Sequence, residues 1–578
     1  MVYKLAITIS GAVSLGTFES GALFEVLETI ARHNEQIDAS RGNANERIEV
    51  DVLTGASAGG MTACIAARKL LYEGDDLRAA QTNSFYGAWV KDVDLDGLLK
   101  LKPDENPNLS ILSSDLVSKI AQDYLQKPLD EASKRKHPAC ADTLRLGLAL
   151  SNLTGVDYSV PMFGGNVCDL PPAKNSRPIK QTKDKVPQQI KQLITDEFVY
   201  TRFQDEYTEQ LMSSRFDADK WNEISIAAVS CGAFPFAFRP VERDVPDSHY
   251  WHNNDQAEPA GSHTYLFTDG GVFQNEPLGL AKNLVDLIDP NHEDNDSRYY
   301  LYIAPGAKTS SRDGSPLSKE NANSINMART LLKAIFNQAR FHDWVMAENT
   351  NQQVLLLDQR AAQLKNLLIT KRITLSPRDI NNFTMPFLDA LYENKADQAN
   401  AKKRLERQYA SDLKDFKDAD LGLAWIRIVQ LLEQAADLGD RDQMKIFGIT
   451  ADESELAGGK IVAFQGFFAA ELRQHDYNYG RKKAREILRQ LGIFSDVIPP
   501  DDSDITIDHG LDDFDALRSE RPEYRALLKR VGKRSVQYVA GGVSNLLQIL
   551  IRSHPWVVIL AIAIVIVLVA FISQHYQP

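Results

Sequence analysis

Residues 48–70 read IEVDVLTGASAGGMTACIAARKL. An apolar, β-branched run delivers the chain into Gly55-Ala56-Ser57-Ala58-Gly59, and a helix-forming stretch begins immediately after it. G-x-S-x-G at a strand-to-helix turn is the pattern of a nucleophile elbow. Its sharp backbone needs small residues at Gly55 and Gly59, and it leaves the Ser57 hydroxyl exposed where the start of the helix favours negative charge. Working outward, short β-branched runs alternate with helical stretches over residues 1–310: KLAITIS, SGALFEVLETIARHN, LRLGLALSNLTG, ISIAAVSCGAF and YYLYIAPG. This rhythm predicts an α/β domain with a mostly parallel central sheet.

A serine hydroxyl is a weak nucleophile until a neighbouring base takes its proton. Two partners are open. Asp269, in the run FTDGG, is a carboxylate brought to a glycine turn at a strand end. Alternatively a histidine following it, His292 or His342, completes a Ser-Asp-His order. Acyl transfer also requires donors for the developing oxyanion. The first strand ends in Ser10-Gly11-Ala12-Val13-Ser14-Leu15-Gly16 before a helix near Thr17, so backbone amides of this small-residue loop are expected to point into a site at the C-terminal edge of the sheet. A dinucleotide-binding turn fits less well, because Gly11 and Gly16 do not make the G-x-G-x-x-G spacing.

Four segments carry a family resemblance in the correct order: LAITISGAVSLGTFESGALFEVL, GASAG, AAVSCGAFPFAFRPV and FTDGGVFQNEPLGLA. Together they resemble the oxyanion loop, elbow, proline-bearing stretch and Asp-Gly-Gly segment of patatin-like phospholipases. GFFAAELRQHDYNYGR resembles a segment of larger bacterial members. The resemblance implies a three-layer patatin-like sandwich, a Ser57–Asp269 dyad that needs no histidine, and an oxyanion hole at Gly11, Ala12 and Val13. It also implies a fatty-acyl ester substrate, phospholipid above all, and no cofactor. The chain departs from the family at Leu15, where an arginine is usual.

The chain has 578 residues, enough for several folded units, and its 78 acidic against 65 basic side chains leave a net charge of −13. No broad basic field exists to hold nucleic acid. Cys64, Cys140, Cys168 and Cys231 are scattered singly, so neither a disulfide framework nor a metal site is expected, and a reducing compartment fits. The N-terminus reads as a first strand rather than an export signal.

Near the other end, Trp556–Ser573 is WVVILAIAIVIVLVAFIS, 18 uncharged residues that as a helix would span about 27 Å, one bilayer core. Lys529, Arg530, Lys533, Arg534 and Arg552 precede it, which predicts a C-terminal tail anchor with the large N-terminal part in the cytoplasm.

The expected organisation is a catalytic domain over 1–310, a helical extension over 311–495, an acidic linker and juxtamembrane segment over 496–554, and a transmembrane helix over 555–573. In that extension Phe464, Phe467 and Phe468 are expected to pack into a core. The expected function is a membrane-anchored serine lipid acyl hydrolase. The alternatives are a non-catalytic membrane scaffold, or an acyltransferase or soluble-ester hydrolase using the same dyad.

Overall fold

The computed structural model describes residues 2–40, 46–129, 134–161, 197–250, 261–289, 297–306, 324–370, 375–392, 395–436, 444–459, 463–508, 511 and 521–553. Eight strands form one sheet. They are β1 (Tyr3–Ile9), β2 (Ile48–Gly55), β3 (Cys140–Pro161), β4 (Glu197–Met212), β5 (Val241–Pro246), β6 (Ser262–Asp269), β7 (Arg298–Ala304) and β8 (Ile446–Thr450). Hydrogen-bonded neighbours run in the order β5-β6-β3-β2-β1-β7-β8, and β4 also pairs with β3. The run β3-β2-β1-β7-β8 is parallel throughout, whereas β4, β6 and β5 are added antiparallel.

Parallel strands buried on both faces read as continuous apolar runs, and β1 does so. Leu5, Ile7 and Ile9 enter the core formed with α1 (Gly16–Ala39), α2 (Ser57–Leu71) and α3 (Ala218–Cys231). Ala6 turns to the opposite face, where Leu280, Ala281, Leu284 and Val285 of α4 (Leu278–Ile288) pack on it together with Val52 and Tyr300. The result is the three-layer α/β sandwich with a mostly parallel sheet that the sequence predicts.

Beyond residue 320 the described chain is helical through α5 (Ser324–Ile369), α6 (Pro377–Leu391), α7 (Lys395–Gln408) and α8 (Ala419–Ala435). Side chains of α5, α7 and α8 build a core of their own, with Trp425 at its centre donating from Nε1 to the Ala361 carbonyl at 3.1 Å.

The expectation of a helical extension running to residue 495 is not met, because the chain returns to the sandwich. β8 pairs with β7 in parallel, Tyr300 opposite Ile446 through Ala304 opposite Thr450. Next, α9 (Ala470–Leu491) lies along α1 so closely that a Cβ at Gly21 would overlap the Tyr477 carbonyl, and one at Gly480 would overlap that of Phe18. Phe467 and Phe468 do pack into the main core.

The described part of the aspartate-rich stretch expected as a solvated linker is docked as well, at Asp502 and Asp504. Glu25 of α1 accepts from Nε of Arg481 at 2.9 Å and from Nε of Arg485 at 2.5 Å. Asp504 accepts from the same two guanidiniums at 2.6–2.8 Å, and Asp502 from Arg489 Nη2 at 2.7 Å. Spaced four apart, the three arginines share one helix face, so the acids are held by charge rather than by water.

Helix α10 (Pro522–Ser553) follows. It is tied to the body by buried Tyr524, by an Arg530–Asp96 pair, and by Arg534 Nη2, which donates to the Ser110 carbonyl at 3.1 Å. Among the described residues no helix is long and apolar enough to cross a membrane. The span expected over 555–573 lies outside them.

Glu25, Arg481 and Arg485 are all at most 4% exposed. Removing Glu25 leaves two buried guanidiniums to share the half-exposed Asp504 carboxylate, a loss of about 3–5 kcal/mol. Urea unfolding of Glu25→Ala is therefore expected to show a destabilisation of that size. An unchanged midpoint would mean that α9 is seated by other contacts.

Candidate active site

Ser57 begins α2 at the C-terminal edge of the sheet, with its backbone in the left-handed region at φ +51°. A non-glycine residue stays there only when its surroundings over-determine it. The surroundings here are tight. The Ala56 amide donates to the Ile9 carbonyl at 3.2 Å, and a Cβ at Gly59 would collide with the carbonyls of Ser10 and Ile9. A side chain at Gly55 would meet the Gly59 carbonyl. Both elbow glycines are thus required by close approach, as the sequence pattern implies.

Asp269 closes β6, 1% exposed. Its backbone is clamped on two sides: the amide donates to the Ala233 carbonyl at 3.1 Å, and the Ser151 hydroxyl donates to its carbonyl at 2.7 Å. Ser57 Oγ donates to Asp269 Oδ2 at 2.5 Å, while Oδ1 accepts the Gly271 amide at 2.7 Å. Burial pushes the carboxyl from its ordinary 3.8 up to about 7, and the bonds from Ser57 and Gly271 pull the other way without cancelling it.

Among the described residues no histidine hydrogen-bonds Ser57 or Asp269. His342 lies on α5, and His292 falls outside the described residues. Of the two candidate partners, the one brought to Ser57 is the aspartate.

The loop before α1 differs from expectation at one position. The Gly11 amide donates to the Asn275 carbonyl at 3.0 Å, and Asn275 Nδ2 donates back to the Gly11 carbonyl at 3.2 Å. Gly11 is therefore latched to the segment that follows Asp269, its donor is used, and it cannot serve as an oxyanion donor. The residue is still required, because a Cβ there would overlap Oδ1 of Asn275 and sit 3.1 Å from Cβ of Ser57.

The amides of Ala12, Val13 and Ala58 make no hydrogen bond among the described residues. Val13 opens a 3₁₀ turn at φ +52°, rare for a β-branched residue. Val13, Ser57 and Ala58 all line one partly open cavity whose other walls include Trp89, Phe234 and Phe467. Every lining side chain except Ser57 is apolar in character apart from the Trp89 ring nitrogen. No cluster of metal-ligating side chains occurs among the described residues.

Asn275 is a site residue that sequence reasoning passed over; the Asn-x-Pro it begins, Asn275 to Pro277, was a signal for it, without showing what it would hold. Phe467, expected in a core, also lines the cavity.

A sharp elbow serine is thus bonded to a buried aspartate at the edge of a mostly parallel three-layer sandwich. Residues 7–282 match the model of the patatin-like phospholipase family, and that match supports a patatin-like domain over this part of the chain. The chain is also similar to "Uncharacterized protein y4iI" of Sinorhizobium fredii (strain NBRC 101917 / NGR234). The two are 24% identical over 423 residues, a match that takes in 62% of this chain and 57% of that protein.

Because Asp269 holds its proton up to about pH 7 in the folded protein but only to about 3.8 when unfolded, the native state is favoured by the neutral form. Stability then falls as pH rises from about 4 to about 7. Above that, the ionised carboxylate costs on the order of 4 kcal/mol. An asparagine side chain in its place keeps the shape without the charge, accepting from Gly271 and donating to Ser57. Asp269→Asn is expected to unfold at higher urea than wild type at pH 8 and at the same concentration at pH 4. A variant weaker than wild type at pH 8 would contradict the burial argument.

Proposed function

We propose that the chain is a membrane-anchored serine lipid acyl hydrolase of the phospholipase A type, working through Ser57 and Asp269. The observation that carries this reading is the 2.5 Å hydrogen bond from Oγ of Ser57, which lines an apolar cavity, to the buried carboxyl of Asp269. In the first half-reaction Oγ attacks the ester carbonyl while Asp269 takes its proton. The tetrahedral oxyanion is met by amides of Ala12, Val13 and Ala58 and by the partial positive charge at the start of α2. Collapse breaks the ester bond, the alcohol leaves with the proton from Asp269, and the acyl group stays on Ser57. In the second half, Asp269 takes a proton from water, whose oxygen attacks the acyl carbonyl; the acyl–Oγ bond then breaks, the fatty acid leaves with the water oxygen, and Asp269 returns the proton to Ser57 Oγ. A carboxyl poised near pH 7 suits both directions of transfer.

The same reading makes Trp556–Ser573 a transmembrane tail anchor with the α/β body on the cytoplasmic side, supported by its uncharged 18-residue run and the lysines and arginines before it. Tethering raises the effective concentration of the site at a substrate that does not dissolve.

A fluorophosphonate probe is expected to label wild type and not Ser57→Ala, with ester turnover falling by about 10³-fold or more in Ser57→Ala and by orders of magnitude in Asp269→Asn. Labelling that survives in Ser57→Ala would exclude the nucleophile. Against pH, kcat/KM should rise as Asp269 loses its proton and level off above about 7, since the base acts only when ionised. A profile flat from pH 5 to 9 would exclude Asp269 as the base. Removing residues 554–578 is expected to move the protein from the membrane pellet to the supernatant, and continued pelleting would exclude the anchor.

A further inference from the structure

One wall of the cavity beside Ser57 comes from far outside residues 7–282. Phe467, in the 3₁₀ turn Gln465–Phe468, lines the cavity. Phe464 packs edge-on against Phe467 with ring centroids 5.9 Å apart, and against the lining residue Phe234 at 5.8 Å.

The turn is fastened to the site itself. Ser14, next to Val13, donates from Oγ to the Ala463 carbonyl at 2.5 Å and accepts the Gly466 amide at 3.1 Å. Buried Arg473 bridges this wall to a second one. Its Nη1 donates to the Gly466 carbonyl at 3.1 Å and its Nε to the Val90 carbonyl at 3.0 Å, beside the lining residue Trp89. Ala463 sits at φ +60°, a conformation that persists only where its surroundings fix it. A wall held by three polar contacts and one strained residue is rigid. It can therefore measure what lies against it.

We propose that residues 463–468 form the acyl-chain selector of this site, with the Phe467 ring limiting how far a fatty-acyl chain extends from the ester held at Ser57. The proposal rests on the acyl-hydrolase reading and adds to it the residue that sets chain length. An acyl chain gains about 0.8 kcal/mol, close to fourfold, for each methylene it buries. Space opened or closed at Phe467 should therefore change long esters and leave short ones.

The test uses the full chain in detergent with p-nitrophenyl esters from four to sixteen carbons. For Phe467→Ala the ratio of kcat/KM on the sixteen-carbon ester to that on the four-carbon ester should rise at least tenfold over wild type; for Phe467→Trp it should fall. Phe467→Leu should lie between wild type and Phe467→Ala. Ratios within twofold of wild type in all three variants, with four-carbon turnover retained, would overturn the proposal.

The failure of the underlying reading shows itself separately, as no Ser57-dependent turnover of any ester by wild type. In that case binding decides. Fatty acids of the same lengths are titrated into Ser57→Ala with and without Phe467→Ala. A long-chain affinity gain of at least tenfold supports the selector, and equal affinities overturn it.

Discussion

The hydrogen bond between Ser57 and Asp269 joins residues 212 positions apart, and what sets its length is the register of one strand. β3 carries β2 along one edge, Thr54 opposite Gly147 and Gly55 opposite Leu148. It then takes β6 in antiparallel pairing, Leu150 opposite Asp269. The serine lies two residues beyond Gly55, and the aspartate faces β3 two residues beyond Leu148. β3 thus measures both groups to the same level at the edge of the sheet. A slip of one residue in either pairing would turn a side chain to the other face and separate the pair.

That edge holds its groups in states they would not choose alone. Ser57 and Val13 both occupy the left-handed region, which costs about 1–3 kcal/mol for each residue of this kind, and the Asp269 carboxyl is cut off from water. The surrounding sandwich sustains these conformations. All residues of α2 are buried, the elbow fits against the carbonyls of β1, and Asn275 binds Gly11 through both its carbonyl and its side-chain amide. The raised carboxyl and the bent serine have one common cause, a dense interior brought up to a strand end. The condition that makes the pair costly to fold also makes it fit for proton transfer near neutral pH.

What the sequence made legible follows from how local each signal is. The elbow is a strand, a turn and a helix within 23 residues, so Gly55, Ser57 and Gly59 could be read from spacing. Asp269 sits in an equally local strand-to-glycine turn, though its pairing with Ser57 rather than with a histidine needed the family resemblance. Gly11 was misjudged as a donor because the carbonyl that takes its amide lies 264 positions on, where no periodicity reaches. β8 was passed over since five residues between charged segments carry too little pattern to outweigh their neighbours. The stretch around Asp502 and Asp504 has the composition of a solvated linker. Composition counts charges but not partners, and the partners here are Arg481, Arg485 and Arg489 of another segment.

The family match ends at residue 282, yet the physical unit does not. β8 completes the parallel run, α9 rides on α1 at glycine-to-backbone distance, and Ser14 takes its partners 449 and 452 positions away. Contacts of such separation carry a high loop-closure cost, which the burial and charge pairing of the later segment must offset. Ser57, Asp269 and the strands β2, β3 and β6 that register them all lie within the first 300 or so residues. The cavity beside Ser57 nevertheless takes one wall from far beyond them, at Phe467.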